Sequence, residues 1–214
     1  MSDQNEYMHQ SIAKSVFDHD IKTIFGLVGD ANLFIANHFV SVCGGIMVPA
    51  AHEGGTVLMA QAFTQVTGKV GVATVTQGPG LTNCVTALRE GVVARRPMIL
   101  LCGDTPVLAP FHPQNIDQRE VVKATGAGFE QVKSPETASR DVAKAFYRAR
   151  LEKRPIVVNI PSELMWAEVK HNKVVFPFDE APTVITEGSL HEEAIGMIFS
   201  AKRPLILAGA GATV

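Results

Sequence analysis

Two short stretches contain the residue types best suited to binding a ligand and doing chemistry on it. Residues 51–55 read Ala-His-Glu-Gly-Gly, and residues 76–83 read Thr-Gln-Gly-Pro-Gly-Leu-Thr-Asn. Glu53 offers a carboxylate that can exchange a proton, and the two glycines after it leave room for a ligand beside the backbone. Thr82 and Asn83 follow a Gly-Pro-Gly turn, where free N–H groups at a helix start could bind an anion or a carbonyl group. These residues predict a small-molecule site that contains one acid.

Both stretches also have a purely structural interpretation. An acid in the first turn of a helix is stabilised by the helix macrodipole by a few tenths of a kcal/mol, whether or not a ligand binds. A Gly-Pro-Gly turn between a strand and a helix likewise needs no ligand. The functional interpretation is favoured here because each stretch directly follows an apolar run and the two are one helix and one strand apart.

Two further loops carry polar residues that could take part. Residues 28–33 read Val-Gly-Asp-Ala-Asn-Leu, which lacks the three glycines of a dinucleotide-binding fingerprint. Asp30 in this loop is equally suited to an Asx turn or to beginning the next helix. Residues 110–117 contain a lone histidine, His112, and such a loop histidine is more often solvated than catalytic. If both loops lie at the carboxyl ends of strands, Asp30 and His112 could move protons to and from a substrate.

Alternating strands and helices would place these loops. Apolar runs typical of buried parallel strands occur at residues 23–28, 45–48, 70–76, 98–102 and 156–160. The segments between them show helical spacing, and in the last one Val142, Phe146 and Ala149 form a stripe that is expected to face the core. We therefore expect an α/β fold, a doubly wound and mainly parallel sheet with helices on both faces.

The domain organisation is indicated by a motif of two basic residues, a proline and a predicted strand, which occurs at residues 95–100, 153–158 and 202–207. Basic residues suit the negative end of a helix and proline cannot continue it, so each copy predicts a helix-to-strand junction. Residues 171–188 are rich in Pro, Thr and charge and show no period, which predicts a linker. We expect a first domain over residues 1–170 and the truncated beginning of a second α/β domain over residues 189–214, with a strand at 205–208.

Composition and charge argue against several classes of protein. The 214 residues are 46% hydrophobic and 19% charged with a formal net charge of −2, which gives no basic surface for nucleic acid. No apolar run approaches the ~18 residues that span a bilayer, and the polar first residues do not read as a signal peptide. Cys43, Cys84 and Cys102 are scattered, which indicates buried thiols rather than disulfides. We expect a cytoplasmic protein without a nucleic-acid or membrane partner.

In their order along the chain, these motifs resemble the N-terminal, pyrimidine-binding domain of thiamine diphosphate enzymes of the acetolactate synthase and 2-oxo acid decarboxylase superfamily. The resemblance implies that Glu53 hydrogen-bonds the pyrimidine ring nitrogen and so activates the cofactor, thiamine diphosphate. It also implies that the cofactor pocket is lined by Val28, Gly29, Thr76, Pro79 and Asn83. The substrate would be a small 2-oxo acid.

The resemblance is mixed in the two loops that would face the substrate. Acetolactate synthases carry Phe-Gln-Glu-x-Asp where this chain has Gln114 and Asp117, whereas decarboxylases carry a histidine pair where this chain has His112 alone. The aspartate of the decarboxylase turn Pro-Gly-Asp is matched by Asp30, although Val28 replaces the proline. The resemblance therefore implies that Gln114 or His112 contacts substrate-derived groups and that Asp30 assists proton transfer. It leaves open whether an aldehyde is released or a fragment is ligated to a second carbonyl compound.

The same resemblance implies parts that this sequence does not contain. Family members hold Mg²⁺ and the cofactor diphosphate with a Gly-Asp-Gly and Asn-Asn motif in a third domain, and the nearest string here, Cys102-Gly103-Asp104-Thr105, lacks the second glycine. The chain would then be a fragment of a longer enzyme, a homodimer or homotetramer with the cofactor between two subunits. Two alternatives are a non-catalytic binding or oligomerisation fragment of the same fold, and a nucleotide-binding protein that uses the Gly209-Ala210-Gly211 turn.

Overall fold

The computed structural model describes residues 5–178 and 188–209, which belong to two compact units divided between residues 178 and 179. The strands described all lie in the first unit and are β1 (Glu6–Tyr7), β2 (Thr23–Gly26), β3 (Ile46–Pro49), β4 (Gly71–Val75), β5 (Met98–Asp104), β6 (Gly128–Gln131), β7 (Pro155–Pro161) and β8 (Glu168–Val169). The α-helices of this unit are α1 (Met8–Asp18), α2 (Leu33–Ser41), α3 (Glu53–Thr67), α4 (Pro79–Thr82), α5 (Val85–Val93), α6 (Gln118–Thr125) and α7 (Ala138–Glu152). The second unit contains α8 (Ser189–Ser200).

Six of the strands form one parallel sheet in the order β3-β2-β4-β5-β7-β6, and β1 pairs with β8 in a separate antiparallel ribbon. The apolar runs become strands because both faces of a parallel sheet are covered, so every position along β4 and β7 is buried. The expected doubly wound α/β fold is confirmed.

Two hydrophobic clusters, one on each face of the sheet, form the core of the first unit. On one face Ile12, Ile35 and Phe146, from α1, α2 and α7, join strand residues in one cluster. On the other face Val57 and Leu88, from α3 and α5, belong to the second cluster. Successive residues of a strand point to opposite faces, so each central strand contributes to both clusters.

The ends of α3 fix the position of the predicted acid. His52 is the N-cap, and its Nδ1 accepts a hydrogen bond from the backbone N–H of Gly54 at 3.1 Å. Gly68 ends the helix in the left-handed conformation. Glu53 is thereby the first residue of a 15-residue helix and lies at its positive end.

The sheet order defines a topological switch point. The chain goes from β2 to β3 on one side and then returns to place β4 on the other side of β2. At such a point the loops that follow the two strands separate to opposite faces and leave a crevice at the carboxyl edge of the sheet, where ligands of α/β proteins bind. The loops after β2 and β4 are those that carry residues 28–33 and 76–83.

The structure corrects some details of the sequence-based expectations. The strand β6 and the β1–β8 ribbon were not predicted, because β1 and β8 are only two residues long and β6 (Gly128–Gln131) contains a single large apolar residue, Phe129. The predicted strand at 205–208 is wrong: residues 204–209 form no strand, since residues 188–209 contain no second strand with which they could pair. Part of the predicted linker (residues 179–187) and of the Gly209-Ala210-Gly211 turn (residues 210 and 211) lies outside the described residues. Within the described ranges, no helix has the length and apolar character needed to cross a membrane.

Candidate functional site

The loops after β2 and β4 are in direct contact at the switch point. A Cβ atom added to Gly29 would lie 2.7 Å from the Cβ of Thr76, so only glycine fits against this side chain. The Thr76 hydroxyl accepts a hydrogen bond from the backbone N–H of Ala31 at 3.4 Å. The structure therefore brings two of the predicted pocket residues, Gly29 and Thr76, together in the crevice.

Glu53 is paired with another predicted residue, Asn83. The Asn83 Nδ2 donates a hydrogen bond to Glu53 Oε2 at 2.9 Å, which joins the first residue of α3 to the residue that ends α4. The backbones also pack closely here, since a Cβ on Gly54 would lie 3.0 Å from the carbonyl oxygen of Asn83. Glu53 is half-buried and Asn83 is exposed, so the pair lies where a ligand can reach it.

The Gly-Pro-Gly turn is held by a glutamine from another element. Gly78 has a left-handed φ of 58°, and its backbone N–H donates to Gln118 Oε1 at 2.7 Å. Pro79 is the first residue of the short helix α4, a position that needs no N–H donor. A Cβ on Gly78 would lie 2.2 Å from the carbonyl oxygen of Gln114. The turn therefore requires glycine both for its backbone conformation and for the close approach of the 110–117 loop.

Gln114 is connected to the β4 loop by a short chain of side-chain hydrogen bonds. Thr76 Oγ1 donates to Gln77 Oε1 at 2.5 Å, and Gln77 Nε2 donates to Gln114 Oε1 at 2.7 Å. The predicted loop histidine, His112, accepts a hydrogen bond from the backbone N–H of Gln114 at 3.2 Å through Nδ1. The structure thus places Thr76, Gln114 and His112 in one connected group.

Behind this group lies a buried amide network. Gln118 Nε2 donates to the carbonyl oxygen of Gly103 at 2.9 Å and to Asn159 Oδ1 at 2.6 Å. Asn159 Nδ2 in turn donates to Asp104 Oδ2 at 2.6 Å and to Gln131 Oε1 at 2.9 Å. These side chains line part of a cavity of about 310 Å³ at the carboxyl ends of β5, β6 and β7. Through Gln118, which also accepts from Gly78, the network ties the turn after β4 to the carboxyl-terminal parts of β5, β6 and β7.

Two predicted residues are not held in this way. Asp30 is exposed, and its side chain has no hydrogen bond or ion pair with any residue that the structure describes. Val28 is 43% exposed. Asp30 is not the N-cap of α2: that position is occupied by Asn32, whose side chain makes no capping hydrogen bond. Within the described residues, no hydrogen bond joins the Glu53–Asn83 pair to the Gln77–Gln114 pair; the turn at 78–82 connects them through the backbone.

The cysteine nearest to the acid is not reactive. Burial raises the pKa of the Cys84 thiol to about 12, and the negative charge of Glu53 adds to the increase. Cys102 is fully buried, and burial raises the pKa of its thiol well above the ordinary value. Both thiols remain protonated at neutral pH, so neither provides a nucleophile. The predicted assignment of Cys84 to the core is confirmed.

Three polar residues that shape the site were not found by sequence reasoning. Asn32 is buried; its Oδ1 accepts from Gly29 N at 2.7 Å, and its Nδ2 donates to Leu27 O and to Thr74 Oγ1. Gln118 and Asn159 are also buried. Asn159 interrupts the otherwise apolar run of β7, and this break was a usable signal. Gln118 gave no such signal in the sequence, because a glutamine in the first turn of a helix is common.

A comparison with protein-family models identifies the class of this domain. Residues 8–121, more than half of the chain, match the family described as thiamine pyrophosphate enzyme, N-terminal TPP binding domain. The chain belongs to this family, as the sequence motifs indicated. The matched segment begins with α1 and extends into α6, and so includes Glu53, the Gly-Pro-Gly turn and the 110–117 loop.

Curated relatives are similar over almost the whole chain. The chain is 28% identical to the acetolactate synthase isozyme 3 large subunit of Escherichia coli over 95% of its own length and 37% of that protein. It is 28% identical to a sulfoacetaldehyde acetyltransferase of Castellaniella defragrans over 94% of its length and 34% of that protein. The acetolactate synthase large subunit of Corynebacterium glutamicum is also 28% identical, over 94% of the chain and 33% of that protein. The chain spans about a third of the length of these relatives.

Proposed function

We propose that this chain is the part of a thiamine diphosphate-dependent enzyme that holds the aminopyrimidine end of the cofactor. The proposal is supported by the family membership and by relatives that are named as acetolactate synthases and as acetyltransferases. The intact enzyme would decarboxylate a 2-oxo acid and either release an aldehyde or ligate the remaining fragment to a second carbonyl compound. The chemistry that thiamine diphosphate supplies when bound is a nucleophilic carbon that adds to a carbonyl carbon.

The observation that carries this proposal is the hydrogen bond between Asn83 and Glu53. It occupies Glu53 Oε2, whereas Oε1 has no hydrogen-bond partner among the described residues. A carboxyl group with one oxygen anchored and the other open fits a hydrogen bond to a pyrimidine ring nitrogen. Glu53 would hold that ring and share a proton with it, and Asn83 would keep the carboxyl group in the orientation required.

The remaining predicted pocket residues fit the edges of a flat ring. Val28 and Pro79 offer apolar surface on the loops after β2 and β4, one on each side of the switch point. Gly29 and Thr76 pack directly against each other between these loops. We assign to Val28 and Pro79 the exclusion of water from the ring, and to Gly29 and Thr76 the spacing of the two loops.

The substrate side of the proposal rests on the connected group of Gln114 and His112. Gln114 Oε1 accepts from Gln77, which leaves the Gln114 amide N–H₂ to donate to a carboxylate or carbonyl oxygen of the substrate. His112 is half-buried, and its Nδ1 already accepts from the backbone, so Nε2 is the atom that would exchange a proton. The exposed Asp30 would assist this proton transfer from the loop after β2.

Other features of the intact enzyme are proposed from the resemblance alone. The described residues contain no group of three or more His, Cys, Asp or Glu side chains suited to a metal ion. We propose that Mg²⁺ and the cofactor diphosphate are held by a domain beyond this chain, in a cytoplasmic homodimer or homotetramer. Residues 1–170, 171–188 and 189–214 would then be the pyrimidine-binding domain, a linker and the beginning of a central domain.

The test uses the intact protein that contains this chain. Carbon dioxide release from a panel of 2-oxo acids would be measured with thiamine diphosphate and Mg²⁺, for the wild type, E53Q and N83A. We expect E53Q to lose about a hundredfold or more in cofactor-dependent rate, because an amide cannot exchange the proton. We expect N83A to lose about tenfold, since only the orientation of Glu53 is affected.

The matched control is E90Q, which makes the same chemical change at an exposed position on α5. This variant should keep the wild-type rate. If E53Q also keeps most of the activity, the assigned role of Glu53 is wrong. Failure of the intact wild-type protein to bind thiamine diphosphate would favour the non-catalytic alternative, a binding or oligomerisation fragment of the same fold.

A further inference from the structure

A second cavity lies at the opposite edge of the sheet from Glu53. Its volume is about 340 Å³, within the range of small-molecule sites. It is formed where α5, α6 and α7 end, beside the turns that lead into β5 and β7. Its lining includes Arg95, Lys153 and Arg154, so that two of the three basic-basic-proline motifs found in the sequence meet in one place.

Arg95 and Lys153 carry positive charges that no described group neutralises. Both side chains are exposed, and neither forms an ion pair or a side-chain hydrogen bond with a residue that the structure describes. Arg154 differs, because its guanidinium donates to the carbonyl oxygen of Gly126 at 2.8 Å and to Glu152 at 2.7 Å. Arg154 thus shapes the cavity, and Arg95 and Lys153 are the cations that remain available to a ligand.

The one carboxylate in the lining cannot compensate these two cations. Glu152 accepts from Arg148 at 2.7 Å as well as from Arg154. Although burial opposes it, these hydrogen bonds lower the pKa of Glu152, so its negative charge is permanent at neutral pH and already shared by two guanidinium groups. Arg148 also pairs with the buried Glu130, to which Lys144 is bound. In this network three cations share two carboxylates, which adds positive charge to the region.

The shape of the turns does not by itself require cations here. Arg95 and Lys153 both have left-handed backbones, with φ of 53° and 47°. Asp20 occupies the corresponding turn between α1 and β2 with φ of 61°, and it carries a negative charge. Cations do stabilise helix C-termini by interaction with the macrodipole, but that role is met by a single charge within the last turn. The last turns of α6 and α7 already contain Lys123 and Arg150, whereas that of α5 contains no basic residue, so Arg95 serves the end of α5 and Lys153 is the cation in excess.

We propose that this cavity binds the phosphate group of a small phosphorylated molecule, with Arg95 and Lys153 as its ligands. Arg95 offers a planar fork of donors, and Lys153 a compact ammonium group; both are established means of binding phosphate. The site is separate from the pyrimidine site at the carboxyl edge, and its occupation would be independent of the proposed function.

The test is calorimetric titration of the intact protein with inorganic phosphate at constant ionic strength, in the absence of thiamine diphosphate and Mg²⁺, because the diphosphate would compete for the same cavity. The informative variant is R95N/K153N, because asparagine tolerates the left-handed backbone of both positions. We expect its dissociation constant for phosphate to rise about tenfold or more, since two charge-assisted hydrogen bonds are lost. Circular dichroism would verify that the variant is folded, and the single variants R95N and K153N, each with a smaller loss, provide a second measurement.

The matched control is K202N/R203N, which removes the same two charges from the third copy of the motif, in the other compact unit. Unchanged phosphate binding by this control, together with the loss in R95N/K153N, would support the site. Equal losses in both double variants would show a non-specific charge effect and overturn the proposal. Absence of phosphate binding by the wild type would overturn it as well, without bearing on Glu53.

Discussion

Gln118 is the side chain whose removal should disturb the candidate site most through structure alone. It is 3% exposed, and it makes three N–H···O hydrogen bonds that join the Gly78 turn, the end of β5 and the side chain of Asn159. The partners Gly78, Gly103 and Asn159 are themselves buried, so each lost bond leaves a buried polar group without this partner. We predict that Q118A destabilises the first compact unit strongly.

The magnitude follows from the bonds lost. A buried hydrogen bond contributes a net ~1 kcal/mol, and leaving its partner unsatisfied costs about 1–3 kcal/mol. Three bonds and the cavity left by truncation give about 3–5 kcal/mol for Q118A. Q118M keeps the side-chain volume and loses only the bonds, so we expect about 2–4 kcal/mol. Either value is a large part of the 5–15 kcal/mol typical of a domain.

Urea-induced unfolding at 25 °C, followed by far-UV circular dichroism, measures these losses. The control is Q65A, which truncates an exposed glutamine on the surface of α3 and should change the free energy of unfolding by less than about 0.5 kcal/mol. A loss below about 1 kcal/mol in Q118A would refute the reasoning, because it would mean that Gly78 and Asn159 find other partners.

Two further predictions concern backbone strain and pH. G78A should cost at least about 2 kcal/mol more than G44A, because both glycines have a positive φ but only at Gly78 would a Cβ meet a backbone oxygen, that of Gln114, at 2.2 Å; equal urea midpoints for the two variants would contradict this. Burial lowers the pKa of His19, so the unfolded state binds the proton more readily than the folded state. The contribution of the buried, neutral His19 to the free energy of unfolding is therefore fully present above the unfolded-state pKa of ~6.5. It is lost as the pH falls below that value. Unfolding midpoints between pH 7.5 and 5 should decline less steeply in H19F than in the wild type, and parallel curves would show that His19 is not responsible.

The fold was predictable from the sequence because buried parallel strands leave an unambiguous pattern. The run at residues 98–102 is apolar at every position and the run at 156–160 at every position but Asn159, and the helix before the second run marks its inner face with Phe146 and its neighbours. The strand β6 escaped notice because its four residues alternate between buried and half-buried positions. The strand expected at 205–208 failed for the opposite reason, since a run of apolar residues becomes a strand only beside a partner.

The candidate site was predictable only in part, and the difference lies in how each residue is held. Glu53 and the Gly-Pro-Gly turn form local motifs, in which the chemistry and the backbone conformation come from adjacent residues. The pairing of Asn83 with Glu53 joins positions 30 residues apart, and that of Gln118 with Asn159 joins positions 41 apart. Such pairings depend on the order of strands in the sheet, which a single sequence does not specify. Asp30, chosen by resemblance, is the residue for which the structure adds no supporting contact.

The side chains that hold the loops at the carboxyl edge of the sheet differ in chemistry from the acid, Glu53. The loops are held together by amide groups, those of Gln77, Gln114, Gln118 and Asn159, and amides do not change charge between acid and neutral pH. Within the Glu53–Asn83 pair the anchoring group is again an amide. The proposed proton exchange at Glu53 would therefore leave the charge of its anchoring group, the Asn83 amide, unchanged.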